Sequence, residues 1–302
     1  MSQRLKSGLV RWWPTSALAS LLAGCSPADP LNFLAPVDGL AIQQSISYGE
    51  GPRRTLDVYQ PRNASRAPVI VFFYGGSWQG GVKETYRFVA AALASRGHVV
   101  IVPDYRVYPD VRYPSFLEDA AQAVRWAKQN ALRYGGDPEK LFLMGHSAGG
   151  HIALTLGTDG RWLQAQGLDA RSDLAGLIGV SGPYDFLPIK DQTLKVIFGG
   201  DNRPETQPIS YVVGGEAPAL LVTGQTDDSV DPDNASRLAA RFAEKGSDAR
   251  VIIYPRVGHL SIVGAFAFPL RFLAPVLDDV DAFVRRTGSR VRLAPTAQRS
   301  AP

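Results

Sequence analysis

Residues 69–74, 99–102, 141–144, 177–180, 220–223 and 251–254 are almost unbroken runs of apolar side chains. A strand that does not alternate has no wet face, so such runs belong to a sheet covered on both sides by helices. Helical periodicity fills the gaps between them, at 84–95, 115–134, 148–156, 232–244 and 270–286. Strand and helix in alternation, joined by short crossovers, predict an α/β fold with a doubly wound, mainly parallel sheet. Residues 42–48 and 56–59 alternate instead, and predict an antiparallel pair at the N-terminal edge of that sheet. The stretch 184–215 breaks the rhythm with prolines and glycines and is expected to cover one end of the sheet. With 302 residues, 45% of them hydrophobic and 20% charged, the chain can bury its core as one large domain.

The domain is expected over 42–287, between a distinct N-terminal leader and a proline- and arginine-containing tail at 288–302 expected to be unstructured. Arg4, Lys6 and Arg11 precede an apolar stretch at 17–23 that is too short to span a bilayer, so residues 1–24 read as a signal peptide. Its end, Leu22-Ala23-Gly24-Cys25, resembles the bacterial lipoprotein signal, in which cleavage precedes a cysteine that receives lipid. That resemblance implies a membrane anchor on Cys25, a tether at 25–41 and a place in the bacterial cell envelope. Ser26, not an acidic residue, follows the cysteine and implies sorting to the outer membrane. Loss of the leader would also remove three basic residues, so the formal charge of +4 says little about the mature domain. The remaining lysines and arginines are scattered singly, which argues against a nucleic-acid surface. Cys25 is the only cysteine, so neither an intrachain disulfide nor a thiol nucleophile within the domain is possible.

Gly145-His146-Ser147-Ala148-Gly149 lies between the run at 141–144 and a small-residue helical stretch. A serine held on a tight strand-to-helix turn needs slim neighbours, so that strand and helix approach closely and the hydroxyl stays exposed. Ser147 is therefore the candidate nucleophile, with Gly150 and Ala153 keeping the helix start narrow. Acyl transfer by serine also needs a base, an acid that orients it and donors for the oxyanion. The chain has four histidines. His98 opens a buried run, His146 lies inside the turn and His151 sits one helical turn beyond the serine. His259 alone is expected in a loop after the last strand, where open α/β sheets place their chemistry.

The acid comes from the loop after 219–223, where Asp227 is preferred as the first carboxylate and Asp228 is the competitor. A calcium loop fits this acidic segment poorly, because Pro232 and Leu238 occupy the places of its glycine and terminal glutamate. A plain solvated turn would be the ordinary reading of the segment in isolation, but it arrives in the order Ser, Asp, His. Backbone amides should bind the oxyanion: Ala148 at the helix start, and donors from Tyr74-Gly75-Gly76-Ser77-Trp78.

These motifs, with Asp104-Tyr105-Arg106, Gly135-Gly136-Asp137-Pro138, Ser181-Gly182-Pro183-Tyr184-Asp185 and Gly258-His259, occur in the order found in carboxylesterase-type α/β-hydrolases. Within that superfamily the chain resembles the hormone-sensitive-lipase and kynurenine-formamidase or prenylcysteine-methylesterase branches over about residues 42–286. The resemblance implies Ser147 as nucleophile, Asp227 as acid and His259 as base, with the amides of Gly76, Ser77 and Ala148 as oxyanion hole and Gly75 as an alternate. It implies an eight-stranded sheet, a small-molecule ester substrate and no metal or organic cofactor. Many relatives carry histidine where this chain has Tyr74, and glycine where it has Ser77. A small amidase or formamidase using the same triad, or a membrane-anchored binding protein without turnover, are the competing expectations. The run 260–269 after His259 could line an acyl pocket or simply pack on the core.

Overall fold

A computed structural model describes residues 28–289. Cys25, the signal segment, part of the tether and nearly all of the tail lie outside the described residues. Eight strands form one sheet: β1 (Leu40–Ser47), β2 (Thr55–Pro61), β3 (Ala67–Phe73), β4 (Val99–Pro103), β5 (Gly136–His146), β6 (Gly176–Val180), β7 (Ala219–Gly224) and β8 (Ala249–Tyr254). Their order is β1-β2-β4-β3-β5-β6-β7-β8. The β1/β2 and β2/β4 pairs are antiparallel, and every pair from β4 to β8 is parallel. This is the α/β-hydrolase sheet that the unalternating runs and the alternating N-terminal pair predict.

Burial follows the strand order. All residues of β4, β6 and β7 are buried, whereas in β8 only Tyr254 is. The run 251–254 thus departs from the expectation of a strand covered on both faces. Apolar composition does not reveal strand order, and β8 is the sheet's edge, with Ile253 left exposed.

The helices are α1 (Asp29–Phe33), α2 (Arg87–Ser95), α3 (Ser115–Asn130), α4 (Ala148–Thr158), α5 (Arg161–Gln164), α6 (Ala170–Asp173), α7 (Gln192–Phe198), α8 (Asp233–Glu244), α9 (His259–Gly264) and α10 (Val276–Gly288). Every residue of α4 is buried, as expected of a helix apolar all round and laid across the sheet's centre. By contrast α8 buries Asn234, Ala235, Leu238 and Phe242, one stripe of an amphipathic helix. The helical pattern expected from 270 begins only at Val276, after Pro275; the residue before a proline is driven out of the α region, so the earlier residues form a 3-10 turn at Phe268–Leu270 and a loop. Residues 28–39, expected within the tether at 25–41, contain α1. Asn32 donates to the carbonyls of Glu84 and Thr85 and accepts from the Phe88 amide, which docks this segment on the domain.

Candidate active site

Strand β5 ends at His146 and α4 begins at Ala148, leaving Ser147 to make the turn at φ 55°, ψ −123°. A non-glycine residue at positive φ is strained by about 1–3 kcal/mol and persists only where its surroundings over-determine it. Here they do. A Cβ on Gly145 would lie 2.0 Å from the Gly149 carbonyl oxygen, and one on Gly149 would lie 2.1 Å from that of Phe73. Gly75 is also pressed, less closely, since its Cβ would meet the Ser147 Cβ at 2.9 Å. The Ser147 amide donates to Val180 at 2.9 Å, which ties the turn to β6.

The loop after β3 supplies the neighbouring amides. Gly76 has φ 143°, a conformation in which a side chain would strike the Gly80 carbonyl, and Ser77 and Trp78 follow at φ 53° and 57°. Ser77 therefore adopts the left-handed conformation that ordinarily favours glycine. The Gly76 carbonyl accepts from the Gln79 and Gly80 amides, closing the loop on itself. Ala148 is the first residue of α4, where amides have no intrahelical acceptor. The Gly75 amide faces the Tyr86 hydroxyl instead.

Tyr74 is buried and sits in a hydrogen-bond network. Its hydroxyl donates to Asp104 at 2.8 Å and accepts from Arg53 at 2.9 Å. The same guanidinium donates to the carbonyls of Gly81 and Tyr105, and the Tyr105 hydroxyl returns a bond to the Tyr74 carbonyl. Burial, with Tyr105 and Asp104 alongside, pushes the Tyr74 phenol up, so it remains a donor. Both ends of the loop are thereby held. Arg53 and Tyr86 carry no sequence signal for this work, because each reaches it through contacts distant along the chain.

The acid and base arrive on the loops after β7 and β8. His259 Nδ1 lies 2.9 and 3.1 Å from the two carboxylate oxygens of Asp227. Asp227 also accepts from the amides of Ser229 and Val230. Burial alone would push its carboxyl up, but the His259 ring and the Val230 amide outweigh this and hold it below the usual range. Asp228 is exposed and accepts only from the Ser229 hydroxyl, so it is Asp227 that meets the histidine. The two loops are zipped by Thr226 and Gln225 amides donating to Val257 and Tyr254, and Gly224 permits it, since a Cβ there would be 2.1 Å from the Val257 carbonyl. His259 was expected in a loop; it opens the short helix α9, directly after the Val257-Gly258 turn.

Ser77, Trp78, Ser147, Ala148 and His259 border one cavity of about 510 Å³. No hydrogen bond joins the Ser147 hydroxyl to His259, whose Nδ1 is committed to Asp227. Phe186, Leu187, Lys190 and Leu194 close the far side, so the segment 184–215 does cover this end of the sheet. Trp78 both lines the cavity and wedges against Phe186 and Phe198. Of the run after His259, Ile262, Val263 and Phe266 are buried while Leu260 and Phe268 are exposed, and none borders the cavity. A second cavity of about 400 Å³, beside Asp159 and Tyr211, contains none of the candidate residues.

The other histidines have structural partners. His98 bonds Asp281 on α10 at 2.7 Å, and His151 bonds the Thr206 carbonyl at 2.7 Å. Among the described residues, no group of three or more His, Cys, Asp or Glu side chains is placed to hold a metal ion.

This sheet order, with a strained serine after β5 and an Asp–His pair after β7 and β8, is that of an α/β-hydrolase of the carboxylesterase type. Residues 56–242 match the family model described as BD-FAE, and the chain belongs to that family. An isoprenylcysteine alpha-carbonyl methylesterase of Arabidopsis thaliana is 29% identical over 243 residues, which cover 73% of this chain and 57% of that protein. Esterase LipC of Mycobacterium tuberculosis is 29% identical over 243 residues, covering 74% and 59%. The chain thus spans little more than half the length of the curated relatives it matches. Among solved structures, apo Thermogutta terrifontis esterase 2 superposes with a TM-score of 0.68 at 25% identity, covering 83% of this chain and 96% of that one. A truncated carbohydrate esterase from gut microbiota does so with a TM-score of 0.72 at 21% identity, covering 84% and 98%, a likeness of fold alone.

Proposed function

We propose that this protein hydrolyses small-molecule carboxylic esters through an acyl-enzyme on Ser147. The observation that carries the reading is that His259, paired with Asp227, borders the cavity that Ser147 also borders. Asp227 accepts the Nδ1 proton, which leaves Nε2 with its lone pair as the base. Ser147 Oγ attacks the ester carbonyl carbon and passes its proton to His259 Nε2. The tetrahedral oxyanion takes hydrogen bonds from the amides of Gly76, Ser77 and Ala148, each worth roughly 3 kcal/mol in such sites. Collapse breaks the bond to the alkoxide, which leaves with the Nε2 proton as an alcohol. Water then gives a proton to Nε2, attacks the acyl-serine and releases the acid as Ser147 recovers its proton.

Hydrolysis of a p-nitrophenyl acyl series by the full chain in detergent, beside Ser147→Ala, tests this. The variant is expected to lose about a million-fold in kcat, as removal of a serine nucleophile does elsewhere. Equal rates for the two proteins would refute the reading, and anilides cleaved faster than matched esters would favour an amidase.

We also infer that the enzyme works from a lipid anchor on Cys25 in the bacterial cell envelope, on the strength of the charged, apolar and Leu22-Ala23-Gly24-Cys25 segments. Labelled palmitate should enter the protein in a bacterial host and fail to enter Cys25→Ala. Label retained by the variant removes the anchor.

A further inference from the structure

His146 occupies the variable position of the Ser147 turn, and no step of the reaction above uses it. Its ring is buried, with Nε2 3.2 Å from the carbonyl oxygen of His259 and Nδ1 3.3 Å from the Tyr86 hydroxyl. A carbonyl oxygen only accepts, so Nε2 carries the proton, Nδ1 presents its lone pair and Tyr86 donates to it. The Tyr86 oxygen in turn faces the Gly75 amide. Two hydrogen bonds therefore run in series from Tyr86, which also stacks on Tyr74 at the start of the oxyanion loop, through His146 to the backbone of the base. The His146 ring also lies 4.8 Å from that of His259, with 39° between the planes.

The chain holds this arrangement sterically as well. A Cβ on Gly75 would come within 3.0 Å of His146 Nδ1, so the loop must be bare where the ring passes. The direction of the bonds requires a neutral ring. Burial, reinforced by the neighbouring His259, lowers His146 to about 3, which leaves it uncharged when His259 takes up a proton beside it.

The geometry points to His146 as a positioning residue, whose Nε2–H holds the His259 carbonyl and, with Tyr86, locks the base loop to the oxyanion loop at one spacing. This rests on the ester-hydrolase reading for its consequence in turnover, but not for the hydrogen bonds themselves. Misplacing a base by about an ångström costs on the order of a hundred-fold in rate, so the effect should be large and confined to the chemical step.

Two measurements decide it. With four histidines in the chain, ¹⁵N spectra of the imidazoles, assigned by comparison with His146→Gln, report the tautomer directly. His146 should be the Nε2–H form from pH 7 down to about 4; an Nδ1–H form, or a ring titrating near the ordinary value of about 6.5, overturns the proposal. This arm needs no turnover, and so stands apart from a failure of the esterase reading, which would appear as a wild type without activity. In kinetics on p-nitrophenyl acetate, His146→Leu removes the donor and should lower kcat about 10- to 100-fold with KM nearly unchanged. His146→Gln keeps an N–H near the Nε2 position and should restore most of the rate. Tyr86→Phe should cost less, and its effect should not add to that of His146→Leu. Equal losses in the Leu and Gln variants, or a loss confined to KM, refute the positioning role. Should His146→Leu fail to fold, the tautomer measurement and Tyr86→Phe still decide.

Discussion

Ser147 leaves β5, a strand paired on both sides and closed in by α4, whereas His259 follows β8, which is paired on one side and mostly unburied. The candidate nucleophile is placed by contact: glycines within a few residues of the serine allow backbone to touch backbone, where any side chain would clash. The candidate base, His259, is placed by bonds to distant parts of the chain, to Asp227 through its ring and to His146 through its carbonyl. A site needs both methods, because a nucleophile must be held against strain while a base must exchange protons and so is oriented chiefly by polar partners. The edge has one point of comparable tightness, Gly224 against Val257, and it serves to bring the two loops together.

The sharpest way to break this contrast is at the polar end. Asp227→Asn should leave the fold intact and lower kcat/KM about ten-thousand-fold, because the imidazole is then held in the wrong tautomer. Asp228→Asn should change it less than about twofold. A larger effect at Asp228 would mean that another loop conformation is the active one.

At the steric end, Gly149→Ala should destabilise the protein by about 3 kcal/mol or more, since its Cβ meets the Phe73 carbonyl at 2.1 Å, against 3.3 Å from the Thr226 carbonyl for Gly258→Ala. Urea midpoints of the two variants measure the difference. Equal losses would dissolve the distinction between centre and edge.

The smallest effect separates the two regions by pH. Burial lowers His146 to about 3 and His151 to about 4, and burial moves His98 in the same direction. The unfolded chain therefore binds more protons than the folded one below about pH 6.5, so stability is full above that value and falls as the pH drops. Each ring contributes up to about 1.4 kcal/mol per pH unit over its window. Asp227 is shifted downward, so its contribution is kept through this range and lost only below the usual carboxylate region. Urea titrations between pH 7 and 5 should show His146→Gln with a slope shallower by about that amount for one ring; an unchanged slope would mean that His146 is not held neutral.

Much of the fold was legible because burial on both faces writes itself into composition. The runs at 141–144 and 220–223 fall in strands β5 and β7, that at 69–74 falls in β3 but for Tyr74, and 148–156 falls in α4. The same rule failed to see that 251–254 is an edge, since an apolar run does not say how many neighbours it will have. Pro275, which delays α10, is visible in the sequence and was outweighed by the apolar period around it. Residues 29–33 read as linker because their anchor, Asn32, finds its partners on the turn before α2 and at its start.

In the site, local and distant information divide along the line drawn above. The sequence by itself determined the tight turn at Ser147 and the order of the Ser, Asp and His loops, because steric exclusion by glycine acts between near neighbours and leaves a fixed spacing. Only the tertiary structure decided that Asp227 and not Asp228 meets His259, that Arg53 and Asp104 brace Tyr74, and that His146 lies between the His259 carbonyl and the Tyr86 hydroxyl. Those contacts are short-range hydrogen bonds between segments far apart in the chain, and no local pattern of residues records which distant partner a polar group will meet.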